Sequence, residues 1–144
     1  MQPILHLSIP VRDLTEARGF YVETLGCQAA RAREGFVDVW FYGMQITLQD
    51  RPDASVPPSD SSSRHFGVSL ARDEFDEMIL RLGDHEVKWV VPVTTDDAGT
   101  PLEQTKAKIA DPSGNVLEFK TYVDVAAALE ISSHSYPEAI EHGN

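Results

Sequence analysis

One order of elements occurs twice in this chain, and that repeat constrains the fold more than any bulk property. "ILHLSIPV" (4–11) joins apolar and β-branched residues, which is strand character, and Asp13 follows as a helix cap. "LTEARGFYVETLG" (14–26) reads as a helix, with Leu14, Ala17, Phe20 (or Tyr21), Val22 and Leu25 on its apolar side and Gly26 as its stop. Three short strands fit next, roughly Cys27 to Arg33, Phe36 to Tyr42 and Met44 to Asp50, punctuated by Glu34-Gly35 and Gly43. "RPDASVPPSDSSS" (51–63) has almost nothing to bury and reads as a linker loop. The order then restarts. "RHFGVSLA" (64–71) is a strand and "RDEFDEMILRLG" (72–83) a helix with Phe75, Met78, Ile79 and Leu82 on one side. "EVKWVVPV" (86–93) is a strand, "TTDDAGTPLE" (94–103) a polar loop, "QTKAKIA" (104–110) a strand, "DPSG" a turn and "NVLEFKTY" (115–122) the last strand. The tail opens with helix-friendly "DVAAALE" and then turns polar.

The halves align at both ends. "LHLSIPVRDL" lies against "RHFGVSLARD", which sets His6 on His65, Ile9 on Val68 and Val11 on Leu70. "YGMQITLQD" (42–50) lies against "SGNVLEFKT" (113–121), which sets Gly43 on Gly114 and Thr47 on Glu118. The expected organisation is a first βαβββ module over 1–50, a linker over 51–63, a second module over 64–122 and a C-terminal tail over 123–144, all within one structural domain. A chain of 144 residues is long enough for one such domain with a real core.

Charge and composition exclude some functions. A formal net charge of −11 argues against a nucleic-acid partner, because phosphate binding needs clustered Lys and Arg. No apolar run approaches membrane-spanning length, so no membrane partner is expected. "MQPILHLSIP" lacks the charged start and long apolar segment of a signal peptide, and Cys27 stands alone, so no internal disulfide is expected. A cytoplasmic protein is the expectation.

At this point the chain resembles the vicinal oxygen chelate superfamily, the group of glyoxalase I, extradiol dioxygenases and the fosfomycin and bleomycin resistance proteins. "HLSIPVRDLTEARGFYVETLGC" (6–27) is similar to the family's opening strand and helix, "HFGVSLARDEFDEMILRLG" (65–83) to a second opening, and "DPSGNVLEFK" (111–120) to its closing motif. The resemblance implies an α+β fold of two tandem βαβββ modules whose curled strands line a cleft for one divalent metal. Family metal ligands come from the first and last strand of each module. Carried onto this chain, those positions are His6, Thr47, His65 and Glu118, and Thr47 is the departure, because a threonine is a poor ligand for a divalent metal.

Two His and one Glu match the face that holds non-haem Fe(II) with coordination positions left open. The favoured activity is therefore an Fe(II) extradiol-type dioxygenase acting on a small metal-chelating, catechol- or enol-like substrate, with His6, His65 and Glu118 as ligands. A glyoxalase-I-like lyase or isomerase using Ni, Zn, Co or Mn is the first alternative, although Thr47 removes the ligating base it would need. A metal-free binding or resistance protein is the second. Strand parity puts Lys120 and Tyr122 on Glu118's side, Ser8 on His6's side, and Gln45 and Gln49 with Thr47. Thr47, Gln49, Lys120, Tyr122, Trp40 and Gln104 are the candidate substrate contacts, and no catalytic acid or base is identified. Read singly, a strand histidine is more often a hydrogen-bonded structural residue, and it is the repeat together with Glu118 that favours the ligand reading. His85, His134 and His142 are expected in solvent, "EFDE" (74–77) is a helix's wet face, and Cys27 is expected to be inert core. The family's size class implies a homodimer, with sites in some members built across subunits.

Overall fold

Alternate side chains of the inner strands divide between an apolar core and a polar face, and that division organises the molecule. In "FVDVWF", Val37, Val39 and Phe41 are buried in the core, while Phe36, Asp38 and Trp40 point the other way. The computed structural model describes residues 3–54 and 64–129. The first half runs β1 (His6–Val11), α1 (Leu14–Gly19), a π-helical turn (Phe20–Thr24), β2 (Gln28–Arg33), β3 (Phe36–Phe41) and β4 (Met44–Asp50), then a short 3-10 turn (Pro52–Ala54). The second half runs β5 (Phe66–Ser69), α2 (Arg72–Gly83), β6 (Lys88–Asp96), β7 (Gln104–Ala110) and β8 (Val116–Tyr122), followed by a short helix, α3 (Val125–Leu129). Residues 55–63 of the expected linker, and the tail from 130 with His134 and His142, lie outside the described residues.

Each half makes one four-stranded sheet, in the orders β1-β4-β3-β2 and β5-β8-β7-β6. The first and last strands of each half pair in parallel, and the remaining pairs are antiparallel. This is an α+β fold of two βαβββ modules. The register reproduces the sequence alignment of the halves. Ser8, two residues after His6, pairs with Thr47, and Gly67, two residues after His65, pairs with Glu118.

Local chemistry explains the helices. Asp13 caps α1 by accepting a hydrogen bond from the Glu16 amide at 2.7 Å. Beyond Gly19 the hydrogen bonds widen, with the Leu25 amide donating to the Phe20 carbonyl at 3.0 Å. Phe20 and Tyr21, adjacent in sequence, are both buried, with their rings edge to face at 5.3 Å. Gly26 then reverses the chain at φ +77°, in the left-handed region.

One apolar cluster spans both sheets, and Phe41 lies at its centre, 6.1 Å from Phe66 and 6.2 Å from Phe119. Burying a side chain such as Phe119 contributes ~2–3 kcal/mol. Polar ties fasten the halves beside this cluster. Tyr21 Oη donates to Asp111 Oδ2 at 2.8 Å, Asn115 Nδ2 to the Pro10 carbonyl at 2.9 Å, and the Arg12 amide to Ser113 Oγ at 2.9 Å. The Arg81 guanidinium donates to the carbonyls of Glu23 and Thr24 at 2.9 and 2.8 Å.

The "DPSGN" turn is thus more than a chain reversal. Asp111 is buried, and besides Tyr21 it accepts from the Ser113 amide and from both nitrogens of Asn115. Burial pushes its carboxyl above the usual carboxylate range, against the pull of those hydrogen bonds.

The polar segment after Val93, expected to be a loop from residue 94, instead continues β6 to Asp96. Thr94 pairs with Lys106 and Asp96 with Gln104, and Lys106 Nζ lies 2.6 Å from Asp96 Oδ2. Cross-strand pairing and this ion pair hold three residues extended that have no apolar pattern of their own.

Candidate metal and substrate site

On the second sheet, the polar face is built by direct cross-strand neighbours. Glu118 of β8 stands between Gly67 of β5 and Lys108 of β7, Lys120 between Ser69 and Lys106, and Tyr122 opposite Gln104. His65, immediately before β5, reaches the same place, with Nε2 3.2 Å from Glu118 Oε2. Lys120 Nζ approaches that oxygen at 3.5 Å. Glu118 is 8% exposed, so its carboxylate is met by His65 and Lys120 rather than by bulk water. His65, Gly67, Ser69, Glu118, Lys120 and Tyr122 line a pocket of about 270 Å3. An imidazole Nε2 beside a carboxylate oxygen is a donor pair that suits a divalent transition metal.

Gly67 is required here by the close approach of two backbones. A Cβ at this position would fall 1.7 Å from the Glu118 carbonyl oxygen. The absence of a side chain lets β5 lie close against β8 at the residue that carries the carboxylate.

The first sheet presents the same face with different chemistry. His6 lies exposed on β1, and among the described residues no hydrogen bond or ion pair engages its imidazole. Thr47 is buried and donates through Oγ1 to Asp38 Oδ1 at 2.7 Å. Asp38 is fully buried, and its Oδ2 also accepts from Arg31 Nε at 3.2 Å and Gln45 Nε2 at 3.3 Å, with Arg31 Nη2 at 3.1 Å. Gln49 Nε2 donates to Ser8 Oγ at 2.7 Å. Trp40 lies on this face beside Gln45 and borders a separate pocket of about 330 Å3 with Cys27 and Tyr42.

His65 and Glu118 are therefore in contact, with Lys120 and Tyr122 beside them and Gln104 opposite Tyr122. Thr47, Gln49, Trp40 and His6 belong to the other sheet. Among the described residues, no three His, Cys, Asp or Glu side chains are grouped to hold a metal ion. Burial pushes the Cys27 thiol up to about 12, so at neutral pH it is a protonated core group. His85 is exposed, its Nδ1 2.8 Å from the Arg81 carbonyl.

Sequence reading missed Asp38. Its signal was an acidic residue at a central position of an otherwise apolar strand, with Arg31 on the neighbouring strand. It also missed Lys106 and Lys108, whose signal was alternation in "QTKAKIA": the lysines take one face while Thr105, Ala107 and Ile109 are buried on the other.

Comparison with known proteins agrees with this architecture. The chain is 32% identical to a glyoxalase/bleomycin resistance protein/dioxygenase from Alicyclobacillus acidocaldarius, over 85% of this chain and 92% of that one, with a TM-score of 0.78. It is 29% identical over 123 residues to a virulence protein of Salmonella typhimurium, covering 82% of this chain and 83% of that protein. A genomically encoded fosfomycin resistance protein from Listeria monocytogenes shares the fold at 15% identity, over 84% of this chain and 93% of that one, with a TM-score of 0.68. The family model of the Glyoxalase/Bleomycin resistance protein/Dioxygenase superfamily matches residues 3–119, and the chain belongs to that superfamily.

Proposed function

We propose that this chain is a metal-dependent enzyme that binds one divalent cation, Fe(II) by preference, through His65, Glu118 and His6, and acts as an extradiol-type oxygenase on a small chelating substrate. The observation that carries this reading is the contact between His65 Nε2 and Glu118 Oε2 at 3.2 Å. The donor chemistry fits: two imidazoles and one carboxylate suit non-haem iron, and three protein ligands leave about three positions of an octahedral ion open. A cation held there would supply Lewis acidity and a meeting place for substrate oxygens and O2.

The protein's own groups have distinct tasks. Glu118 fixes the orientation of His65. Lys120 neutralises charge beside the carboxylate. Gly67 keeps the pocket floor free of a side chain. Thr47, at the place equivalent to Glu118, is engaged by Asp38 rather than available as a ligating base. That favours the open-sited oxygenase over a glyoxalase-like isomerase.

His6 occupies the place equivalent to His65 in the other module, and it stays exposed. We propose that a second copy of the chain brings it to His65 and Glu118, so that the working unit is a homodimer with sites across the subunits. Co-expressed His6→Ala and His65→Ala chains test this. Mixed dimers would recover one intact site of two if ligands come from both subunits. They would recover none if each site belongs to a single chain. Metal content after anaerobic purification tests the ligand set itself, and full metal loading of His65→Ala would overturn it. O2 consumption during turnover separates the oxygenase from the isomerase.

A further inference from the structure

All the lysines of this acidic chain, Lys88, Lys106, Lys108 and Lys120, belong to the second sheet. Lys106, Lys108 and Lys120 share the face that carries Glu118, because Lys108 pairs with Glu118 and Lys106 pairs with Lys120. In a protein of net charge −11, this clustering makes a local positive island. Its internal partners do not balance it. Asp96 holds Lys106 at 2.6 Å and Glu118 faces Lys120 at 3.5 Å. Lys108 has no ion pair among the described residues, although it is only half-buried. The equivalent residue of the first sheet is Asp38, whose charge is answered by Arg31, Gln45 and Thr47. The two faces thus differ in sign at the same place, and only the acidic one is internally satisfied.

We propose that Lys108, flanked by Lys106 and Lys120, is an oxyanion subsite, and that the substrate of this cleft carries a carboxylate, phosphonate or phosphate group in addition to the oxygens that meet the metal. Lysines suit this task, because three rotatable N–H donors on a compact charge adapt to a planar or a tetrahedral oxyanion. The lysine that has no carboxylate partner is the one left to receive it. The inference rests on reading this face as the substrate cleft, and it does not depend on which metal is held.

The probes are inorganic phosphate, methylphosphonate and acetate, titrated at low ionic strength into the full-length protein and followed by the amide NMR signals of Gly67, Lys108 and Glu118. The expected result is saturable shifts at these amides that weaken with added salt. Lys108→Gln should weaken binding about tenfold, the size of a lost charge-assisted hydrogen bond. Lys108→Arg should retain binding, and Arg18→Gln on α1 should leave it unchanged. Tighter binding of phosphate and methylphosphonate would assign a tetrahedral dianion, and tighter binding of acetate a carboxylate. Absence of shifts with all three probes, or equal binding by Lys108→Gln, would overturn the proposal. Metal content of the same Lys108→Gln sample is a separate reading. Normal loading with lost anion binding isolates the subsite. Retained anion binding in a His65→Ala protein that still loads metal would remove the ligand assignment and leave the subsite standing.

Discussion

The two sheets share one topology and one register, yet their polar faces have diverged in opposite directions. Where the second sheet has Glu118 beside His65 and Lys120, the first has Thr47 tied to Asp38. Where the second has Lys108, the first has buried Asp38. Where the second needs Gly67, the first tolerates Ser8, whose hydroxyl meets Gln49. A duplicated scaffold has kept its backbone and separated its chemistry: one half closes its polar groups on each other, and the other presents them to a pocket.

The sharpest break in this comparison is at the glycine. Gly67→Ala should cost more than ~3 kcal/mol or prevent folding, because the new Cβ meets the Glu118 backbone. Ser8→Ala at the equivalent place should stay within ~0.5 kcal/mol. Urea denaturation of the pair measures both, and similar costs would refute the claim that the two halves differ in strand approach.

Next comes metal affinity. Glu118→Gln should lower it by at least about a hundredfold if Glu118 is the ligand proposed, since loss of a ligand exceeds the usual effect of losing a ligand's hydrogen-bonding partner. Thr47→Val should leave metal affinity within about twofold while costing ~1 kcal/mol of stability through the Asp38 acceptor. Isothermal titration with Fe(II) or Mn(II) under argon reads the first effect, and thermal melting the second.

Thr47→Glu would impose the second half's carboxylate on the first. It should destabilise by ~2–4 kcal/mol at neutral pH, because a second carboxylate is forced against buried Asp38, and the loss should shrink as pH falls and one carboxyl takes a proton. A stable Thr47→Glu protein with gained metal affinity would show that the first half is only one residue from a ligand set.

The smallest effect concerns the tie between the halves. Asp111 has a raised carboxyl pKa in the folded protein, so the folded state holds its proton more tightly than the unfolded chain does. Its contribution to stability is fully present below the ordinary value of 3.8 and is lost as pH rises through the folded value. The melting temperature of the wild type relative to Asp111→Asn should therefore rise as pH is lowered from 7 toward 4. A constant difference would remove the assignment.

Much of this was legible in the chain. His6 and His65, Thr47 and Glu118 could be matched because strand periodicity and glycine turns are local signals, and both halves carry them. The β6 extension through Asp96 was not legible, because "TTD" has no apolar alternation and is held by β7. Burial of both Phe20 and Tyr21 was hidden as well, because periodicity alone does not say that two adjacent aromatic residues both meet the core. Asp38 and Lys108 were passed over because a single charged residue in a strand gives no sign of which charges lie across from it.

The sequence by itself determined the duplicated βαβββ order and the identity of the residues at equivalent places, since these follow from local propensity and period. Only the tertiary structure decided which of those places are open and which are occupied. Pairing between distant strands sets a carboxylate against His65 and Lys120 in one half and encloses another among Arg31, Gln45 and Thr47 in the other, and electrostatic environment depends on neighbours in space rather than in sequence.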